Sequence, residues 1–213
     1  MGSRTDQLPS PFREASIHNV VITTHVGCRL DLRWLARNLL NANFNPRRFA
    51  AVILRCHAPY TTALLFNTGK VVCTGSRTIA EAHRALSGFV ERLVSVGVRV
   101  SASAFKVENI VGASALVESN KELRIGRLIG GNDVEYEPEL FPGMSRRFTM
   151  RDDTVVLCIV FTSGKMILTG NGKPEHLEEV MTHVTQWLRP AVVNRAEVQG
   201  RKRRRSAAVE AAV

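Results

Sequence analysis

Twelve residues of this chain occur twice. Leu64-Leu65-Phe66-Asn67-Thr68-Gly69-Lys70-Val71-Val72-Cys73-Thr74-Gly75 returns as Ile159-Val160-Phe161-Thr162-Ser163-Gly164-Lys165-Met166-Ile167-Leu168-Thr169-Gly170, displaced by 95 residues. Each copy is a short apolar run, a polar turn ending in Gly-Lys, a second apolar run and a closing Thr-Gly. Apolar runs rich in β-branched residues around a Gly-containing turn form a β-hairpin. A hairpin that recurs so far along the chain implies a duplicated structural unit.

The surroundings repeat as well. Ile17-His18-Asn19-Val20-Val21-Ile22-Thr23-Thr24 reads as a strand, and Val107-Glu108-Asn109-Ile110-Val111-Gly112 echoes it. In the first half, Asp31 caps an expected helix over 32–42, followed by strands over 49–56, 61–66 and 70–74. A helix over 80–94 and a strand over 98–105 complete it. The second half predicts a weaker helix over 120–129, interrupted by Gly126, then strands near 139–144, 147–150 and 154–161, the hairpin, and a helix over 174–188. The order in each half is close to β-α-β-β-β-α-β. That order predicts an α+β fold in which one antiparallel sheet carries its helices on one side. The organisation expected is a disordered leader over 1–15, repeats over 16–104 and 105–193, and a basic disordered tail over 194–213.

Strand periodicity carries the functional argument, because residues two apart share a face. Helices cover one side of the sheet, and Val20, Leu65, Val71 and Cys73 are apolar enough to be that side. The other side then presents Val21, Phe49, Leu64, Phe66 and Val72, with Asn19 and Thr74 polar. In the second repeat it presents Val111, Phe141, Ile159, Phe161 and Ile167, with Asn109 and Thr169. Either a second sheet or a dimer buries this surface, or it is an interaction site.

Charge favours the latter. The 213-residue chain has a formal net charge of +10 and a pI near 10.2, which suits a polyanionic partner. The excess is uneven: 16–104 hold eleven Lys/Arg against three Asp/Glu, while 105–193 hold ten against twelve. Arg47, Arg48, Arg55, Lys70 and Arg77 in the first half, and Arg146, Arg147, Lys165 and Lys173 in the second, are expected beside the apolar face. An apolar strip rimmed by cations suits a DNA minor groove, whose floor offers few specific hydrogen bonds.

With these residues in place, the chain resembles the saddle domain of the TATA-box-binding protein family. The likeness rests on Asn45-Pro46-Arg47-Arg48-Phe49-Ala50-Ala51-Val52-Ile53, on Thr61-Thr62-Ala63-Leu64 with its Phe66 hairpin, and on Tyr136-Glu137-Pro138-Glu139-Leu140-Phe141-Pro142-Gly143. It spans about 16–193. The resemblance implies a saddle-shaped, pseudo-twofold fold with one curved sheet and helices on the convex side. It implies that Phe49 and Phe66 wedge open one base step and Phe141 and Phe161 another. Asn19, Thr74, Asn109 and Thr169 would bond minor-groove acceptors, while Val21, Leu64, Val72, Val111, Ile159 and Ile167 would press on sugars and bases. Arg48, Arg55, Lys70, Arg77, Arg147 and Lys165 match phosphate-contacting positions. Glu137, Glu139 and Leu140 match the docking site for transcription factor IIB. The implied function is a nuclear general transcription initiation factor that binds and bends A/T-rich promoter DNA, nucleates preinitiation complex assembly and needs no cofactor.

The chain also departs from that pattern. Phe49 and Phe66 are 17 residues apart but Phe141 and Phe161 are 20 apart, and the longer connection contains Arg151-Asp152-Asp153. Two carboxylates are thereby expected near the DNA phosphates. The 80–94 helix balances Arg84 and Arg92 against Glu81 and Glu91, which leaves the family's partnership with transcription factor IIA open. Arg201-Lys202-Arg203-Arg204-Arg205 reads as a nuclear localisation signal or an extra nucleic-acid contact. These departures keep an alternative alive, a divergent paralogue working as a protein-interaction module or dimer with weak DNA binding.

Enzyme and metal chemistry have little support. His25-x-x-Cys28 and Cys56-His57 lack the second ligand pair that zinc sites show. Gly130-Gly131 lacks the lysine and helix of a phosphate loop. With no secretory apolar segment at the N-terminus, Cys28, Cys56, Cys73 and Cys158 read as reduced core residues, and no stretch is long and apolar enough to span a bilayer.

Overall fold

The computed structural model describes residues 10–101, 103–128, 133–170 and 173–196. These form two compact units, one built on 17–112, the other on the segment up to Ser16 together with 113–169 and the chain from Lys173 onward. Each unit contains one copy of the repeated hairpin.

The first unit comprises β1 (Ser16–His25), α1 (Leu32–Asn38), β2 (Ala42–Asn43), β3 (Ala51–His57), β4 (Tyr60–Phe66), β5 (Lys70–Ser76), α2 (Ile79–Ser95) and β6 (Lys106–Ser114). The strands lie in the order β2-β3-β4-β5-β1-β6. The hairpin registers are antiparallel, with Ile53 opposite Leu64 and Leu64 opposite Val72. Asp31 accepts hydrogen bonds from the Arg33 and Trp34 N–H groups at 3.0 Å and starts α1. Thr78 does the same for α2 through Glu81 N–H at 3.0 Å, and Glu81 in turn accepts from Arg77 N–H at 2.8 Å. Both caps satisfy amides that a helix start leaves orphaned. Leu32 and Leu35 of α1 and Leu86, Phe89 and Leu93 of α2 then pack on Val20, Ile22, Val52, Leu54, Leu65, Val71 and Cys73. The covered side of the sheet is the one the alternation predicts.

In the second unit, β8 (Val134–Glu135), β9 (Met144–Thr149), β10 (Val155–Val160) and β11 (Met166–Gly170) lie in the order β11-β10-β9-β8. β7 (Lys121–Leu123) pairs separately with β12 (Val192–Asn194). Helix α3 (Glu175–Leu188) buries Leu177, Val180, Val184 and Leu188, and α3 packs against β10. Antiparallel strands with helices on one face make the fold α+β.

Five local expectations require correction. The strand expected near 139–144 is a turn over 138–140, with β9 starting only at Met144, because the proline at 138 and the hydrogen bonds to the Glu137 carbonyl close the chain there. The helix expected over 120–129 is β7 and one 3-10 turn, Ile125–Arg127, within the described residues; Gly126 and the β12 partner outweigh a weak periodicity. Residues 98–105 form no strand where described; instead Ser101 and Ser103 N–H donate to the carbonyls of Val26 and His25 at 2.9 Å. Helix α1 stops at Asn38 rather than reaching 42, and Asn41 turns the chain at φ 58°. Residues 10–15, placed in a disordered leader, are packed: Phe12 is buried and bridges Leu116, and Arg13 N–H donates to Ala115. The 201–205 run lies outside the described residues.

Candidate nucleic-acid interface

The repeated hairpins set the geometry. Gly69 (φ +99°) and Gly164 (φ +83°) close the turns, donating to the Phe66 carbonyl at 3.0 Å and the Phe161 carbonyl at 2.8 Å. Neither position admits a side chain, since a Cβ would run into the Cys28 carbonyl in one case and Leu116 in the other. The strands that follow place Val72 and Thr74, and Ile167 and Thr169, two residues apart on the face away from the helices.

The second ring of each pair comes from a turn before a strand. Asn45 accepts at its carbonyl from Arg48 N–H (3.0 Å) and Phe49 N–H (2.9 Å); Glu137 accepts from Leu140 N–H (3.0 Å) and Phe141 N–H (2.9 Å). This matched turn brings Phe49 edge-on to Phe66, centroids 6.2 Å apart at 69°, and Phe141 edge-on to Phe161, 5.9 Å apart at 68°. Phe49 is 42% exposed and Phe141 48%, so neither pair is packed beneath helices. On the face away from the helices, Val21, Leu64 and Val111 in the first unit and Ile159 in the second are half-buried, and Ile167 is exposed.

Asn19 shows what the polar residues can do. Its side-chain oxygen accepts from Thr74 Oγ1 at 3.0 Å and from Gly75 N–H at 2.8 Å. What the amide has left to offer is N–H, a donor suited to an acceptor floor. Asn109 is half-buried on β6, and Thr169 half-buried on β11.

The cations divide differently from expectation. Arg48, Arg55, Lys70, Arg77, Arg147 and Lys165 are all exposed. Arg146 is on the opposite side from Arg147, its guanidinium 5.0 Å from the Phe148 ring and 5.2 Å from that of Trp187, a cation–π clamp against α3. Lys173 sits at the start of α3, 3.7 Å from Asp152. The inserted turn is also redirected: Asp152 contacts His176 at 3.2 Å and Arg151 contacts Glu179 at 3.6 Å, so these charges fasten the β9–β10 turn to α3. A hydrogen bond from Thr154 leads in holding the Asp152 carboxyl below its usual range.

Two carboxylates that sequence reading passed over lie among the expected phosphate cations. Glu108 accepts from Thr23 Oγ1 at 2.8 Å, with Lys106 Nζ at 3.0 Å and Lys70 Nζ at 4.0 Å. Glu135 accepts from Arg147 at 2.7 Å and from Ser145 at 3.3 Å. Both carboxyls titrate below their ordinary value, chiefly through the hydrogen bonds from Lys106 and Arg147 respectively. The register makes the second pair findable: Glu135 faces Ser145, two residues from Arg147 on the same face.

Among the described residues, no three His, Cys, Asp or Glu side chains gather as a metal site would, and no helix is long and apolar enough to cross a membrane. All four cysteines are free thiols, and burial pushes those of Cys73 and Cys158 up to about 12.

The family model described as "Transcription factor TFIID (or TATA-binding protein, TBP)" matches residues 14–96 and again 104–191. The chain belongs to the TATA-binding protein family. A TATA-box-binding protein of Archaeoglobus fulgidus is 37% identical over 176 residues, covering 81% of this chain and 93% of its own. The TATA-box-binding protein of Artemia franciscana is 42% identical over 154 residues, covering 72% and 54%. The rat TATA box-binding protein-like 2 is 40% identical over 168 residues, covering 79% and 48%, so the chain spans about half the length of that relative. Among solved structures, Methanococcus jannaschii TBP superposes with a TM-score of 0.69 at 29% identity, covering 84% of this chain and all of that one. The family's doubled α+β fold is therefore this chain's fold.

Proposed function

We propose that this protein is a general transcription initiation factor that binds A/T-rich promoter DNA in the minor groove and bends it. One observation carries the reading: both repeats hold an edge-on phenylalanine pair, one ring exposed and the other half-buried, at the margin of an apolar sheet face. Prising apart a base step costs on the order of a few kcal/mol. Fully burying an exposed ring returns roughly 1.5–3 kcal/mol; these rings are already partly covered, so two per step offset part of the cost and surface contact along the bent duplex supplies the rest.

In this reading Phe49 and Phe66 open one step, and Phe141 and Phe161 another. Asn19, Thr74, Asn109 and Thr169 meet the acceptor floor. Val21, Leu64, Val72, Val111, Ile159 and Ile167 leave no room for a guanine amine. Arg48, Arg55, Lys70, Arg77, Arg147 and Lys165 reach phosphates, setting affinity and position rather than sequence. Glu137, Glu139 and Leu140 (81% exposed) stand on the second wedge turn as bait for transcription factor IIB, through which preinitiation complex assembly is nucleated. The protein acts in the nucleus, and transcription factor IIA is a further candidate partner through α2.

Fluorescence energy transfer across an end-labelled A/T-rich duplex tests this. Binding is expected to bring the ends together, with affinity falling steeply as salt rises. No approach of the ends, together with a stable protein dimer indifferent to DNA in light scattering, would establish the interaction-module alternative instead.

A further inference from the structure

In the proposed function six cations reach phosphates, and two of the six already face a carboxylate. Lys70 is the first residue of β5 and faces Glu108, whose other oxygen is 3.0 Å from Lys106. Arg147 is on β9 and donates to Glu135 on the neighbouring β8. The two arrangements differ in make-up. Glu108 is shared between two lysines and a threonine hydroxyl from β1, whereas Glu135 has one arginine and one serine hydroxyl. They arise on unrelated strands of different units, so they are independent observations of the same chemistry.

A phosphate oxygen and a glutamate oxygen ask the same thing of an ammonium or guanidinium group. A cation paired with a carboxylate must release it before it can serve the duplex, and the abandoned carboxylate then repels the phosphate that replaced it. The two repeats differ at this point. Position 43, which stands to Arg55 as 135 stands to Arg147, is Asn43; the register puts Asn43 opposite Ile53 as Glu135 lies opposite Ser145. One arginine therefore has a neutral neighbour and the other a negative one.

We infer that Glu108 and Glu135 are built-in competitors of the DNA backbone, each occupying a cation that would otherwise contact phosphate and so lowering affinity for the duplex. The inference rests on the minor-groove reading above. It carries a thermodynamic signature. Each phosphate neutralised releases counterions and contributes about −0.9 to the slope of log K against log salt. Exchanging one internal anion for another leaves the glutamate to recruit a cation from solution, which cancels most of that contribution.

The experiment uses the full chain and an A/T-rich duplex, with affinity measured across a salt series for wild type, Glu108→Gln, Glu135→Gln and the double variant. Glutamine keeps the shape and removes the charge, at a half-buried position for Glu108 and an exposed one for Glu135, and circular dichroism checks the fold. Each single variant is expected to bind about two- to five-fold tighter at low salt, the size of an exposed ion pair, with a slope steeper by about 0.9. Glu91→Gln on α2, equal in net charge, is expected to move neither. Weaker binding with an unchanged slope would overturn the inference, showing that the carboxylates position the cations for phosphate. A shift equal to that of Glu91→Gln would overturn it in favour of overall charge. Failure of wild type and double variant alike to bind the duplex would remove the minor-groove reading itself, and this inference with it.

Discussion

The two ring-bearing turns, 43–49 and 135–141, share a backbone, a proline (Pro46, Pro138) and aromatic residues, and differ in charge. In both, a carbonyl four residues before the phenylalanine accepts from the ring residue and from its predecessor, with lengths that agree within 0.1 Å. The resulting ring pairs differ by 0.3 Å in separation and 1° in tilt. The side chains around them have been rewritten: Asn45, Arg47 and Arg48 in the first turn stand where Glu137, Glu139 and Leu140 stand in the second. Ring placement is encoded in the turn's hydrogen bonds and the strand that follows, so the charges were free to diverge. One turn is cationic, with Arg47 and Arg48, and the other acidic, with Glu135, Glu137 and Glu139.

That comparison breaks most visibly if the rings are not equivalent. Phe66→Ala and Phe161→Ala are each expected to remove about half of the duplex bend while the protein stays folded, and together to abolish it. Energy transfer across the duplex measures this. A full bend retained in either single variant would mean that one pair is not a wedge.

A smaller and more local difference lies behind the second ring. A Cβ at Gly143 would sit 2.5 Å from Phe141 Cε1 and 2.8 Å from Ile159 Cγ2, whereas the first unit tolerates Ala51 at the matching place. Gly143→Ala should push the Phe141 ring outward and reduce the bend at the second step; Ala51→Gly should leave the first step unchanged. Smallest of all is the cation contrast. Arg55→Ala is expected to flatten the salt dependence by about 0.9, and Arg147→Ala by clearly less, because Glu135 already holds Arg147. Equal slopes would dissolve the distinction between the two arginines.

Much of this was legible before any coordinates. Period-2 alternation identifies Leu65, Val71 and Cys73 as covered, and all three are fully buried. The same alternation separates Arg146 from Arg147, so adjacency in sequence does not place both beside the apolar face. What stayed hidden depends on distant partners. No local signal ties Asp152 to His176, because the β9–β10 turn must first fold back on α3. The placement of Ser101 and Ser103 depends on the edge that Val26 and His25 present to them, and the short β7 on its distant partner β12. Glu108 sits in a run that echoes the first strand, so its charge was easily overlooked beside Asn109.

The buried Phe12 has a topological consequence. Ser114 donates through its hydroxyl to the Arg13 carbonyl at 2.6 Å, and Val117 N–H donates to the Pro11 carbonyl at 2.9 Å, so the later repeat borrows a piece from the opposite end of the sequence. A fragment starting at the later repeat would therefore lack part of its own interior. The polypeptide is sewn back onto itself, and its later repeat is finished with residues that precede the earlier one.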